Sequence, residues 1–230
     1  MLTVFDDADQ AVSQIHDGAT VFIGGFGKAG QPVELIDALL RQGSRNLIVV
    51  SNNAGNGTEG LAALIGAGRV AKIICSFPRQ SDSGLFDAKY RAGEIELELV
   101  PQGNLAERIR SAGAGIGGFF TPTGYGTLMA EGKETRIING RGFVLESPIS
   151  GDFALIKASK ADGLGNLVYR KTARNFGPIM ATAAAYTIVQ VSELVQIGDL
   201  DPEHIVTPGI FVNGAVVISA TIGPRYLDEV

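Results

Sequence analysis

Tryptophan is absent from this 230-residue chain, cysteine occurs once, at Cys75, and histidine twice, at His16 and His204. One cysteine excludes an internal disulfide framework and a multi-thiolate metal cluster. Two histidines leave nothing for a histidine-rich metal centre. Charge is also scarce: Asp, Glu, Lys and Arg make up only 19%, with 19 Lys+Arg against 24 Asp+Glu and a net charge of −5. No basic block stands out, which excludes a surface built to wrap duplex nucleic acid but not a small anion site. No apolar run reaches the ~18 residues of a membrane-spanning helix. The opening residues, M-L-T-V-F-D-D-A-D, carry acid where a signal or transit peptide carries base. The expectation is a soluble, cytoplasmic protein with no membrane or nucleic-acid partner.

Apolar residues are plentiful, at 45% with a mean hydropathy of +0.20, so the chain can bury a substantial core. Glycine is in excess: 31 residues, against the ~16 that an ordinary share of about 7% would supply. The glycines cluster in 24–30, 55–57 and 113–126, each beside a strongly apolar run. That placement suggests tight turns around a site and not a flexible linker.

The first half alternates strand-like and helix-like patterns. Strands are expected at 20–23, 46–50, 70–75 and 95–100, and helices at 31–41, 61–65, 85–92 and 105–111. The strands are continuously apolar instead of alternating, as a parallel sheet covered on both faces requires. The predicted fold is therefore α/β, with an open, mostly parallel, doubly wound sheet and helices on both faces. After Thr121 the texture changes. Residues 135–138 and 143–145, separated by Asn139-Gly140, read as an antiparallel hairpin. Further strands are expected at 153–156, 166–169 and 186–189, with a helix over 179–184. Nothing resembling a linker divides the chain, so residues 1–230 read as one domain.

In such a sheet ligands sit at the carboxyl ends of the strands, and four motifs fall there. Gly24-Gly25-Phe26-Gly27-Lys28-Ala29-Gly30 satisfies G-x-G-x-x-G from Gly25, between a strand and a helix. The acidic residue that a dinucleotide ribose requires is missing after the second strand, where Ser51-Asn52-Asn53 stands instead. A sterically required turn and a ligand cradle both remain open for it. Asn52-Asn53-Ala54-Gly55-Asn56-Gly57 reads either as a turn or as a set of amides for a polar ligand. In the loop 75–83, C-S-F-P-R-Q-S-D-S, Arg79 is solvated, caps a neighbour or, with Gln80 and Ser83, forms an anion clamp. In Pro101-Gln102-Gly103-Asn104, Asn104 suits an N-cap for the helix 105–111, with Glu107 as its capping-box partner. No structural duty is apparent for Gln102. Cys75, at the end of a buried strand, reads as a small hydrophobe. No G-x-S-x-G elbow is present, and His16 and His204 lie beside Asp17 and Glu203 on surface turns, which argues against a Ser-His-Asp hydrolase.

Longer stretches of the sequence resemble a known family. Asp17-Gly18, Gly24-Gly25-Phe26 and Gly30-Gln31-Pro32 are similar to the signature of the α-type subunit of family I CoA-transferases. The resemblance continues through S-N-N-A-G at 51–55, V-P-Q-G-N-L-A-E-R at 100–108 and F-T-P-T-G-Y-G-T-L at 120–128. It extends to R-N-F-G-P at 174–178 and L-D-P-E-H-I-V-T-P-G-I-F-V at 200–212. The loop 75–83 and the phrase S-N-N-A-G-N-G look most like family members that act on 3-oxoadipate, with acetoacetate or another short 3-oxo acid as the alternative acceptor. The resemblance implies half of a two-subunit enzyme, a heterodimer or heterotetramer, that moves CoA from succinyl-CoA to a 3-oxo acid. A glutamate on the β-type partner would attack the thioester and carry CoA covalently. Neither Glu131 nor Glu146 stands in the context of that glutamate. By the same resemblance Gln102 stabilises the developing oxyanion, and Gly24, Gly25, Phe26, Gly27, Gly30, Asn52 and Asn53 shape the acyl and CoA end of the cleft. No metal or redox cofactor is implied; the CoA thioester is a substrate. A sugar-phosphate- or dinucleotide-binding protein of related topology, and a non-catalytic subunit that kept the scaffold, are the readings from other classes.

Overall fold

Alternate residues along each central strand are buried on opposite sides of one sheet, which is why those strands read as unbroken apolar runs. The computed structural model describes residues 1–218. Its first elements are β1 (Thr3–Phe5), α1 (Ala8–Val12), β2 (Thr20–Ile23), α2 (Val33–Gln42), β3 (Leu47–Val50), α3 (Leu61–Gly66) and β4 (Val70–Cys75). Then come α4 (Gly84–Arg91), β5 (Glu96–Leu99), α5 (Gln102–Gly113) and the small strands β6 (Phe119–Thr121), β7 (Thr135–Ile138) and β8 (Arg141–Glu146). The remainder is β9 (Gly151–Asp162), β10 (Leu167–Val168), α6 (Gly177–Ala183), β11 (Ala184–Val195) and β12 (Gly214–Val217).

The main sheet runs β1-β12-β11-β9-β2-β3-β4-β5, parallel throughout, with β10 added antiparallel to β9. One core lies beneath α1 to α4: Val21, Ile23, Leu47, Val49, Ile73 and Leu155 meet Leu35, Ile36 and Leu39 of α2. The opposite core takes Phe22, Val50, Ile74 and Ile156 against Leu105 and Ile109 of α5 and Met180 of α6. Each fully buried Leu or Ile there contributes about 1.5–3 kcal/mol. Helix α2 stops at Gly43, whose φ of 95° gives the left-handed cap.

The chain leaves β2 toward β3, β4 and β5, then returns to place β9 on the other flank of β2. The order of strands therefore reverses at β2, and the crevice outside its carboxyl end is the switch point where doubly wound sheets bind ligands. Between α5 and β9 the chain builds a separate antiparallel sheet, β6-β8-β7. Its β7–β8 hairpin turns at Asn139 (φ 49°) and Gly140 (φ 77°), the two left-handed residues a tight hairpin demands.

Several sequence expectations need correction. Strands β9 and β11, expected to be four residues each, are twelve residues long because they pair in register over nearly their whole length. The strand expected over 166–169 shrinks to Leu167–Val168 at the edge of β9. Elements β1, α1, β6 and β12 carry no distinct sequence signal: they are short, and β1 pairs with β12 from the far end of the chain. Helix α5 begins at Gln102, three residues earlier than its apolar spacing indicates, with Pro101 at the cap. Asn104 is consequently inside the helix and does not cap it. Among the described residues no helix is long and apolar enough to cross a membrane.

Candidate active site

Three loops converge at the carboxyl ends of β2, β3 and β4, and α5 adds its N-terminus beside them. After β2, Gly24 donates its N–H to the Leu155 carbonyl at 3.0 Å, continuing the sheet for one residue. The chain then turns on itself, Phe26 and Ala29 exchanging both backbone hydrogen bonds. Gly25 (φ 130°) and Gly30 (φ 71°) permit that turn, and a Cβ on Gly30 would stand 2.2 Å from the Ala173 carbonyl oxygen. These glycines set the backbone path, and Phe26 is lifted into solvent at the tip, 51% exposed.

The turn is fastened from the second half of the chain by Asn175. Its Oδ1 accepts from the N–H of Gly25 (3.1 Å) and of Phe176 (2.7 Å), and its Nδ2 donates to the carbonyls of Ala29 (3.0 Å) and Thr172 (2.9 Å). All four bonds of this amide are directed at backbone, so its duty is positional. Sequence reading assigned Asn175 no role; its one signal was its place in R-N-F-G-P.

After β3, Asn52 and Asn53 are buried. Asn53 closes an Asx turn onto the Gly55 N–H at 2.9 Å. Asn56 accepts from the Asp82 N–H at 2.8 Å, tying this loop to the one after β4. Asn52 differs. Its Oδ1 accepts from Ser76 Oγ at 2.8 Å and from Gln102 Nε2 at 2.9 Å, while its own Nδ2 has no protein acceptor among the described residues.

Gln102 is the first residue of α5 and is exposed. One N–H of its Nε2 is spent on Asn52; among the described residues the other has no partner, and no side chain caps the first N–H groups of the helix. Two residues on, buried Asn104 donates to Glu146 Oε1 at 3.1 Å. Lys133 Nζ reaches the same oxygen at 2.9 Å. Glu146 is thereby the pin between the first turn of α5 and the small sheet.

Phe26, Gly27, Asn52, Asn53, Gln80 and Gln102 line one hollow of about 460 Å³ together with Ser76 and Phe77. The structure thus brings together six of the residues selected from sequence, on three loops and a helix. Arg79 and Ser83 stand outside it. Arg79 Nε donates to Asp87 Oδ1 at 2.6 Å, and Ser83 Oγ reaches Asp87 Oδ2 at 3.2 Å. The Arg79 hydrogen bond holds the Asp87 carboxyl below its ordinary pKa. Among the described residues, no carboxylate, histidine or cysteine lines the Gln102 hollow. Cys75, directly beneath it on β4, is fully buried, and burial pushes its thiol up to about 12, so at neutral pH it is no nucleophile. The arrangement offers neutral amide donors and no attacking group: it can stabilise negative charge that develops on a substrate oxygen.

The family model described as coenzyme A transferase matches residues 5–218. The chain belongs to the coenzyme A transferase family. It is 66% identical to the A-type subunit of the 3-oxoadipate CoA-transferase of Acinetobacter baylyi, over 92% of this chain and 93% of that protein. It is 50% identical to the A-type subunit of the probable succinyl-CoA:3-ketoacid coenzyme A transferase of Bacillus subtilis, over 93% and 89% respectively. Among solved structures it is similar to an acyl-CoA transferase of Escherichia coli O157:H7 in a thioester complex with CoA, with a TM-score of 0.84 at 23% identity. That match covers 94% of this chain and 50% of the other. At that identity it speaks for the fold, and the fold is the one the strand patterns of this transferase chain predict.

Proposed function

We propose that this chain is the A-type half of a cytoplasmic two-subunit CoA-transferase that moves CoA from succinyl-CoA to 3-oxoadipate. The observation that carries the reading is the 66% identity to the A-type half of a 3-oxoadipate CoA-transferase, over nearly the full length of both chains. The lower identity, 50%, to a protein named for 3-keto acids in general supports the same reaction and favours the dicarboxylic acceptor over acetoacetate.

The chemistry suits a hollow that lacks a nucleophile. A glutamate carboxylate from the β-type partner adds to the thioester carbonyl of succinyl-CoA, and negative charge accumulates on the carbonyl oxygen. Gln102 Nε2, held by Asn52, supplies a hydrogen bond to that oxygen. A neutral amide does this without pairing with the partner's carboxylate and so blunting it as a nucleophile. The C–S bond breaks, CoA leaves as the thiolate, and the two carboxyl groups are left joined as an anhydride. Attack of the thiolate on the glutamyl carbonyl releases succinate and leaves CoA on the enzyme as a thioester. The carboxylate of 3-oxoadipate then repeats the sequence in reverse. Both halves place the same charge on the same kind of oxygen, so one donor serves both.

Gln80 lines the hollow, and its neighbour Arg79, outside that lining, is paired with Asp87. Arg79 reads the distal carboxylate of the dicarboxylic acid by exchanging Asp87 for the substrate, a swap of one anion for another. Co-expression with the β-type partner, followed by incubation with succinyl-CoA and trapping with borohydride or hydroxylamine, tests the division of labour. The label is expected on the partner alone; a stable adduct on any glutamate of this chain would overturn it. Turnover with 3-oxoadipate above that with acetoacetate is the expected acceptor preference.

A further inference from the structure

Glu146 is placed in a way that stability alone does not explain. Its side chain is 2% exposed, whereas every other carboxylate in an ion pair among the described residues is at least 21% exposed. Its Oε1 accepts from Asn104 Nδ2 at 3.1 Å and from Lys133 Nζ at 2.9 Å. Its Oε2 is buried with no hydrogen-bond partner among the described residues, and Arg108 Nε stands 3.7 Å away. That guanidinium is engaged elsewhere, Nε with the Ser147 carbonyl at 2.7 Å and Nη1 with Glu98 at 2.9 Å. Burying a carboxylate with one oxygen unsatisfied is destabilising, and well-packed apolar side chains in place of a buried ion pair are often at least as stable. What a buried ionic group offers instead is one defined setting of the elements it joins.

Those elements are the end of β8 and the start of α5. Asn104 and Arg108 are four residues apart, on one face of the helix, and both stand against Glu146. Gln102 lies two residues before Asn104, about 200° around the helix, and so on the opposite face. There its Nε2 meets Asn52 Oδ1 at 2.9 Å beside the hollow. The segment after β8 adds a backbone hold, the Ile149 N–H donating to the Arg108 carbonyl at 3.0 Å. Leu105 and Ile109 of α5 are fully buried in the core, but apolar contact is non-directional and resists a small rotation weakly. No side chain caps the helix start. Turning α5 by about 10° would carry an amide ~6 Å from its axis by about 1 Å. A displacement of that size can cost ~10²-fold in a reaction that depends on orientation.

We infer that Glu146 is a positioning residue for CoA transfer: through Asn104 and Arg108 it sets the rotation of α5 at which Gln102 Nε2 faces the reacting oxygen. This rests on the reading of Gln102 as the oxyanion donor. Glu146 does not line the hollow, so it acts through the helix and not on the substrate. Lys133, from the loop before β7, meets the same carboxylate oxygen and keeps the small sheet in register with that setting.

The test is a double-variant cycle on the two-subunit enzyme. Glu146→Gln keeps the size of the side chain and removes its charge; it should lower kcat about tenfold and move the KM for succinyl-CoA by less than about twofold. Asn104→Ala deletes the contact from the helix side, leaves the Glu146–Lys133 pair in place, and should act alike. It carries the cycle alone if Glu146→Gln does not assemble with the partner. In a Gln102→Ala background either substitution should cost less than about a further twofold, since a misplaced donor and an absent one are equivalent. Damage to the fold at large would instead multiply in full. Equal tenfold losses in both backgrounds would therefore overturn the inference, as would an unchanged kcat in the single variants. If Gln102→Ala itself keeps its kcat, the oxyanion reading fails and the cycle has nothing to couple. Hydrogen exchange then still decides the placement: backbone amides 105–109 should exchange about tenfold faster in the variants relative to those of β3, and unchanged protection refutes it.

Discussion

Replacing Gln102 by alanine isolates the amide on which the proposed chemistry depends. The side chain is exposed and makes one protein hydrogen bond, to Asn52 Oδ1, an oxygen that keeps Ser76 Oγ at 2.8 Å after the substitution. Folding stability should therefore change by less than ~1 kcal/mol. The loss in rate should be far larger. Removing one donor of an oxyanion site costs about 10²–10³ in kcat. Here Asn52 Nδ2 and the uncapped N–H groups of α5 stay in place and share the charge. We expect the lower end, about 10²-fold, or roughly 2.7 kcal/mol at 1.36 kcal/mol per tenfold. The KM for succinyl-CoA should move by less than about threefold, because the donor acts on charge that exists only in the transition state. Gln102→Glu, nearly isosteric, should fall below the alanine variant. It would set a carboxylate against Asn52 Oδ1 and in the path of the attacking glutamate. Steady-state kinetics of the two-subunit enzyme, alongside thermal melting of the same preparations, supplies every quantity. A kcat within threefold of the original for Gln102→Ala, or a loss confined to KM, would show that Gln102 is a turn residue and refute the oxyanion assignment.

Asn175→Ala removes four hydrogen bonds, two of which fasten the Phe26 turn, at a net cost of about 2–4 kcal/mol, and should lower both Tm and kcat/KM. Asn175→Asp should not rescue it, since a carboxylate would face the carbonyls of Ala29 and Thr172; recovery by Asp would refute the staple. Glu98 is drawn upward in pKa by burial but held below its ordinary value of 4.5 by hydrogen bonds from Arg108 and Lys72. The stability that this carboxylate contributes is present above pH ~4.5 and is lost as pH falls through the lowered folded value. Chemical denaturation of Glu98→Gln across pH 3–7 should show a smaller acid-side loss and, at neutral pH, a deficit on the order of 1 kcal/mol after solvent screening; a parallel pH profile would contradict this. Arg79→Met should cost on the order of ten- to a hundredfold in kcat/KM for 3-oxoadipate, the worth of a charge-assisted bond, and leave acetoacetate turnover nearly unchanged. Measuring each half-reaction separately removes the complication of the free carboxylate on succinyl-CoA, and unchanged selectivity would reduce Arg79 to the partner of Asp87.

The amino-acid sequence by itself determined the sheet and its class. Val21, Phe22 and Ile23, or Ile73 and Ile74, cannot all face one core, so an unbroken apolar run flanked by helix patterns implies burial on both faces. It also placed the glycine turn after β2 and the Asn-Asn loop after β3 at the ligand-bearing edge, because a parallel sheet puts every such loop at the same end. The Asn139-Gly140 hairpin was legible for a comparable reason, since its backbone conformation is nearly dictated by residue type. The short edge strands were not: three residues such as Thr3–Phe5 carry no period, and their pairing partner lies about 210 residues away. The site needed tertiary structure for the same physical reason. Asn104 looked like a helix cap until buried Glu146 drew it inside α5. Sequence also could not show that Asp87 of α4, eight residues from Arg79 and four from Ser83, would hold both of them in the absence of substrate. Asn52 acquires its purpose only when Ser76 arrives from the loop after β4 and Gln102 from α5, and Asn175 only when the Phe26 turn folds against it. Which amides point at one another is settled by the packing of distant segments, and a linear sequence holds the donors and acceptors without their partners.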